Sequence, residues 1–310
     1  MLASALLVTL AALPAGPVEP GFTADNISEG VYLMRAAEER EDLVNSLLVE
    51  RQDGLLVINA QPTPAAAHEL LQAIGKISSE PVRYVVYTKP QSDAVGGATA
   101  FPRSALIIAS DDCAAALDDL QYDFSLEARL RAGDPEEWTP PERRLPTLRL
   151  TAQADLDDPL NSVRLMPIGP AQTTGDMLVL LPREKILFAG TLVPIDRNPF
   201  AADASASGWL MALNRIAKMA PSLVLPARGA GIETRIVRER RDAIAWLRGQ
   251  VEREFQEKIH PARMPERIVL VPEAAKYFDL EADPSFIAGL IERVVADAIQ
   301  ERRKRGTWTD

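Results

Sequence analysis

The sequence predicts an α/β fold of two packed β-sheets with helices on their outer faces, an αββα layering, and further helices at the C-terminus. Three observations predict it. Short hydrophobic runs of strand length alternate with stretches whose apolar residues recur at helical period. Both halves of the chain carry the same order: strands, then a helix, then a strand running into a loop. With 310 residues, 47% of them hydrophobic and 25% charged, the chain can bury a large core. A sheet apolar on both faces needs cover on both, which layering supplies. Composition alone does not separate this arrangement from other α/β folds.

Taken in order, Gly30–Met34 and Val44–Glu50 read as strands. Gly54–Asn59 is a third, reached through the turn Gln52-Asp53-Gly54. Thr63 is a candidate N-cap with Pro64 at the first helical position, and Ala67, Leu70, Leu71 and Ile74 continue at helical spacing. Val82–Tyr87 is an apolar strand that ends in a loop, Thr88–Gly97. Leu106–Ile108 is a further strand. Asp111 or Asp112 opens a helix predicted to reach about Leu130. Gly133–Pro146 holds four prolines and reads as a surface loop that bisects the chain. Leu148–Ala152, Ser162–Met166, Met177–Leu181 and Lys185–Phe188 follow as strands, the last two joined at Pro182-Arg183-Glu184. Ser205 or Ser207 caps a helix through Lys218. Leu223–Leu225 is a short strand, Glu233–Lys258 a long amphipathic helix, and Pro284–Arg303 a last helix. The basic string at its end, Arg302 to Arg305, suits the negative end of a helix dipole.

Composition excludes several functions. With 34 Lys+Arg against 44 Asp+Glu the net charge is -10, which repels nucleic acid. The single Cys113 excludes an internal disulfide and multi-cysteine zinc or iron–sulfur sites. The two histidines, His68 and His260, are far apart and read as surface residues. Ser205, Ser207, Thr173 and Thr191 lack a histidine nearby to act as base. Trp209, Trp246, Phe188 and Phe200 read as core, and no Gly-rich phosphate loop is present. Leu2–Leu13 is apolar and followed by small residues at Ala12–Ala15. It reads as a signal peptide over 1–20 and is too short to span a bilayer, so export to the periplasm is expected and a transmembrane segment is not.

Five motifs then carry a resemblance. Thr88-Lys89-Pro90-Gln91-Ser92-Asp93-Ala94-Val95-Gly96-Gly97 resembles the Thr-His-x-His-x-Asp-His-x-Gly-Gly signature of the metallo-β-lactamase superfamily. In that family's order, Ile58-Asn59-Ala60 stands where an aliphatic residue and Asp end a strand. Gly169-Pro170-Ala171-Gln172-Thr173-Thr174-Gly175-Asp176 resembles Gly-x-x-His-Thr-x-Gly-Asp. Phe188-Ala189-Gly190-Thr191-Leu192 resembles Phe-x-Gly-Asp-aliphatic, and Leu225-Pro226-Ala227-Arg228-Gly229 resembles Pro-Gly-His-Gly at a strand end. Pro199–Leu213 is similar to the quinoprotein relay system metallohydrolases. The resemblance implies a metallo-β-lactamase-like domain over 21–260, followed by a helical extension over 261–310.

The departures bear on chemistry. In the family the ligand positions of a binuclear zinc site would fall on Lys89, Gln91, Asp93, Ala94, Gln172, Thr191 and Arg228. Of these only Asp93 is a good zinc ligand. A protonated lysine and an arginine have no lone pair to give, Ala94 has nothing to donate, and amide oxygens suit zinc poorly. Gly96-Gly97, Gly175-Asp176, Gly190 and Pro226 keep the family's turns. The expectation is a pseudoenzyme without zinc or another cofactor, binding a small anionic ligand or an envelope protein. Lys89 and Arg228 are expected to converge on Asp93, and on Asp176, in place of the metal charge. The alternative is a metal-independent hydrolase of an ester, thioester or lactone, with Asp93 as base and Lys89 or Arg228 stabilising an oxyanion. A structural role is expected for Cys113.

Overall fold

Strand length and two-residue alternation sort the apolar side chains onto two faces, and the computed structural model shows where those faces go. It describes residues 21–40, 42–124, 141–193, 205–273 and 284–307. The first sheet has seven strands in sequence order. These are β1 (Phe22–Ser28), β2 (Val31–Ala36), β3 (Ser46–Arg51), β4 (Gly54–Ile58), β5 (Val82–Val86), β6 (Leu106–Ser110) and β7 (Leu148–Leu150). The pairs from β1 to β4 are antiparallel; those from β4 to β7 are parallel. The second sheet has five strands: β8 (Ala154–Leu156), β9 (Val163–Pro167), β10 (Met177–Leu181), β11 (Ile186–Gly190) and β12 (Leu223–Pro226). It is antiparallel except that β12 runs parallel to β11.

The parallel crossovers are made by helices. These are α1 (Pro64–Ile74) and α3 (Asp111–Asp118) on the first sheet, and α4 (Ala206–Met219) on the second. A short helix, α2 (Ser92–Val95), lies between β5 and β6. After β12 come α5 (Thr234–Gln256), α6 (Met264–Val269) and α7 (Pro284–Lys304).

Alternation along the strands decides the layers. Leu47, Val49, Leu56, Ile58, Val86 and Ile108 face inward and pack against Leu165, Val179, Leu181, Phe188 and Leu225 of the other sheet. Their neighbours Leu48, Leu55, Val57 and Val85 face outward beneath α1 and α3, meeting Leu70, Ile74 and Leu117. On the far side Leu178, Leu187 and Val224 pack under Trp209, Leu213, Ile216, Val237 and Ile244 of α4 and α5. Two sheets between two helical layers is the predicted αββα order.

Several details differ from the sequence reading. The helix opened at Asp111, capped by Ser110 Oγ, stops at Asp118 rather than near Leu130. Its apolar face ends with Leu117, because Leu120, the next candidate, is 83% exposed; residues 125–130 lie outside the described chain. The loop near the midpoint of the chain is not the boundary between the sheets. β7 follows it and still pairs with β6, so the division falls between β7 and β8. β1 and β8 were not legible, since Phe22–Ser28 and Ala154–Leu156 show little apolar alternation and lie at sheet edges. α2 and α6 are too short for a helical period to register. The predicted signal segment over 1–20 and Phe200 also lie outside the described residues. From Met264 onward Met264, Ile268, Ile291, Val294 and Val295 pack against Leu247 and Val251 of α5. Among the described residues no helix is long and apolar enough to cross a membrane.

Candidate functional site

The C-terminal end of β4 supplies the floor of the site. The chain turns there through Asn59 and Gln61, buried non-glycine residues with φ of 69° and 71°. Such left-handed residues persist where surrounding bonds over-determine them. Gln61 supplies those bonds. Its Nε2 donates to Val44 O and to Ser46 Oγ, each at 2.7 Å, and its Oε1 accepts from Val44 N at 3.2 Å. Ser46 Oγ in turn donates to Asn59 O at 2.9 Å. Asn59, which stands at the family's aspartate position, accepts from Thr88 Oγ1 at 2.7 Å.

That bond sets the start of the loop after β5. The loop contains α2, held by Ala60 N to Ala94 O at 2.8 Å and by Gly97 N to Gln61 O at 2.7 Å. The glycine pair is a steric necessity: a Cβ on Gly97 would lie 2.3 Å from Ala60 O, and one on Gly96 2.1 Å from Pro62 O. Lys89 and Asp93 stand four residues apart across this turn. The Lys89 ammonium lies 2.9 Å from Asp93 Oδ2 and donates to Gln91 Oε1 at 2.9 Å. Lys89 is 2% exposed and Asp93 6%, so the ion pair is buried. Asp93 Oδ1 is also buried, and among the described residues it has no hydrogen-bond partner. Ala94 is fully buried core.

The second sheet brings the other loops to the same end, where Met177 N donates to Thr88 O at 2.8 Å. Between β9 and β10, Asp176 Oδ2 accepts from Thr173 N at 2.6 Å and closes its own turn. Gly175 lies against Cys113 of α3, with its carbonyl accepting from Ser110 Oγ at 2.8 Å. Gln172 is fully buried; its Oε1 accepts from the Thr191 hydroxyl at the end of β11. The other end of that amide, Nε2, is buried without a partner among the described residues. After β12, Asn45 anchors the last loop: its Nδ2 donates to Pro226 O at 2.9 Å and to Gly229 O at 2.8 Å.

The expected approach of Lys89 to Asp93 is met. Asp93 is paired with Lys89, whereas the Arg228 charge acts on Asp42 at the rim. The Asp42 carboxyl is held below its usual range, first by its hydrogen bond to Arg40 and to a lesser degree by Arg228. Asp176 Oδ2 accepts from the Thr173 amide. Asn45 and Asp176 each anchor their loop, which sequence order does not show. Cys113 is fully buried, and burial, with help from Asp176 and Asp112, pushes its thiol up. It is a packing residue, as expected. His68 and His260 are exposed, and His260 Nδ1 caps a short turn by accepting from Ala262 N at 3.3 Å. Ser205 caps α4 through Gly208 N, and Ser207 bonds Arg248 and Glu301. Asn45 and Gln61 have no signal in the sequence, and Thr88 has one only as the first residue of its motif, because only the fold brings their partners to them.

The family model for the metallo-beta-lactamase superfamily matches residues 40–228. The chain belongs to that superfamily. The matched span takes in four of the five motifs whole and the fifth as far as Arg228. No curated protein matches the sequence. Among solved structures, a metallo-beta-lactamase from Pontibacter korlensis is 21% identical with a TM-score of 0.56, over 72% of this chain and 98% of that one. A double mutant of the sec-alkyl sulfatase PisA1 is 14% identical with a TM-score of 0.71, over 92% of this chain and 50% of that one. The stereoselective inverting sec-alkylsulfatase Pisa1 from Pseudomonas sp. is 13% identical with a TM-score of 0.67, over the same shares. This chain thus spans about half the length of the sulfatase. At these identities the likeness is one of fold.

The superfamily usually holds zinc, and the donor chemistry at the corresponding positions can be compared with that need. Zinc takes thiolate, imidazole or carboxylate, arranged tetrahedrally or with one open position. Asp93 is the one carboxylate at those positions, and its Oδ2 is engaged by the Lys89 ammonium. Gln91 Oε1 is engaged by the same ammonium and Gln172 Oε1 by Thr191. Among the described residues no group of three or more His, Cys, Asp or Glu could hold a metal ion. The residues present do not fit a zinc pair.

Proposed function

We propose that this chain is a non-catalytic member of the superfamily, in which an internal ion pair stands in for the metal centre. It serves as a binding or accessory protein of the cell envelope. One observation carries the reading: the buried Lys89 ammonium sits 2.9 Å from Asp93 Oδ2. A carboxylate kept in a dry loop needs a positive partner. In relatives a metal ion supplies that charge; here a side chain of the same loop does. The ammonium also repels any divalent ion brought to the neighbouring donors. Without bound zinc, water activated near neutral pH is not available by that route.

The envelope assignment rests on the apolar Leu2–Leu13 segment with its small-residue end, which reads as an export signal. A metal-independent hydrolase of an ester, thioester or lactone is the less favoured reading. Lys89 and Asp93 already offset each other's charge, which leaves little to activate water or to steady an oxyanion.

The test is to dialyse the purified protein against excess zinc chloride, desalt it, and measure bound metal and hydrolysis of β-lactam, thioester and lactone substrates. Sub-stoichiometric metal and no turnover above buffer are expected. Stoichiometric zinc would overturn the reading. Metal-free turnover that disappears in Asp93→Ala would establish the hydrolase instead.

A further inference from the structure

The Lys89–Asp93 pair leaves a chemical remainder. Asp93 Oδ1, an acceptor, and Gln172 Nε2, a donor, are both buried, and no described protein group reaches either. Gln172 is fully buried and Asp93 6% exposed, so bulk water is a poor substitute partner for them. A buried polar group without a bond costs about 1–3 kcal/mol, which makes two complementary ones at one end of a fold unusual. The loops that carry them are tied to each other, Thr88 O accepting from Met177 N at 2.8 Å. Thr191 holds the Gln172 amide by its Oε1 and so directs the Nε2 end. The lysine adds one more feature. Its contacts to Gln91 and Asp93 use two of its three N–H groups, and its charge is offset by Asp93.

We infer that Asp93 Oδ1 and Gln172 Nε2 are the two halves of a binding site for a small uncharged group bearing a hydroxyl or a carboxamide. The ligand donates to Asp93 Oδ1 and accepts from Gln172 Nε2. This deepens the proposed function and rests on it, since the pair accounts for charge and leaves only hydrogen bonding. An anion meets the Asp93 carboxylate, and a cation meets the Lys89 ammonium. A neutral donor–acceptor group meets neither penalty. A hydroxyl or a carboxamide offers both functions, donating to Asp93 Oδ1 and accepting from Gln172 Nε2. Thr191 is a positioning residue for this site, acting through Gln172.

The experiment titrates the full-length protein, by NMR of side-chain amides and by calorimetry, with acetamide, sodium acetate and zinc chloride in separate runs. Acetamide is expected to shift the Gln172 side-chain resonances saturably, and acetate and zinc to leave them unmoved. Gln172→Met, which keeps the volume and removes the amide, should weaken acetamide at least about tenfold, the loss of one buried hydrogen bond. Thr191→Val should weaken it less and broaden the Gln172 side-chain signals, a readout that a purely structural threonine would not alter. A crystal soaked in acetamide should show it bonded to Asp93 and Gln172. No shift with acetamide, or a crystal structure in which protein groups satisfy both atoms, overturns this inference and leaves the proposed function standing. Stoichiometric zinc overturns both.

Discussion

Replacing Lys89 with methionine removes the ammonium and keeps most of the side-chain volume. In the native protein two unit charges stand 2.9 Å apart. At an effective dielectric constant near 20 that attraction is about 6 kcal/mol. It is set against a desolvation cost of several kcal/mol for each buried ion, so the intact pair is near break-even. The variant keeps the cost of burying Asp93 and loses the attraction. Asp93 Oδ1 has no partner to take up the difference. Breaking one side of a buried pair costs about 3–5 kcal/mol. Urea unfolding at neutral pH, followed by tryptophan fluorescence, reads this directly, because Trp209 is 4% exposed and donates to Leu192 O. The double variant Lys89→Met with Asp93→Leu should recover most of the loss, since neither charge is then stranded. High salt should change these differences little, because buried pairs are weakly screened. A single variant within about 0.5 kcal/mol of the wild type, the spread of neutral surface changes, would mean that the pair is solvated and that the metal-replacement argument is wrong.

Three further outcomes test the scaffold. Gly97→Ala drives a Cβ to 2.3 Å from Ala60 O and 2.6 Å from Ala67 Cβ, and should cost about 3 kcal/mol in a urea melt, the upper end for overpacking. Gln61→Ala strips three hydrogen bonds from Val44 and Ser46 while leaving a left-handed backbone to maintain; about 3 kcal/mol is expected, with weaker amide-exchange protection at Val44. The Cys113 thiol and the Tyr87 phenol are both raised by burial. Their folded forms hold protons that the unfolded chain releases, so stability is complete below the unfolded pKa of each. It should fall as pH rises past about 8.5 for the thiol and again past about 10 for the phenol. Cys113→Ala should remove the first of these two declines, and a thiol reagent should label Cys113 only in denaturant.

The sheet strands with strict alternation were readable because each of their apolar residues had only two faces to choose between. Leu47, Leu48 and Val49 show the rule, with successive side chains going to different cores. Thr63 and Ser205 were readable as caps because a cap bonds within three residues of itself. β1 escaped because an edge strand with one buried residue carries no pattern. The acidic start of α3 is visible in sequence, whereas its end at Asp118, where its apolar partners run out, is not.

At the site the division is sharper. Residue identity in the motif loops by itself carries the resemblance, which puts Lys89, Gln91, Gln172 and Arg228 rather than histidine at the positions implied for metal ligands. Chemistry needs no coordinates to say that an ammonium is no ligand. Which charges meet was decided by tertiary structure alone. Lys89 reaches Asp93 because they share a four-residue turn in a loop held by Ala60 and Gln61. The backbone on both sides of Arg228 is held by Asn45, which leads into the other sheet. A hydrogen bond between residues 45 and 226 has no local signature, and it exists only once two sheets have packed.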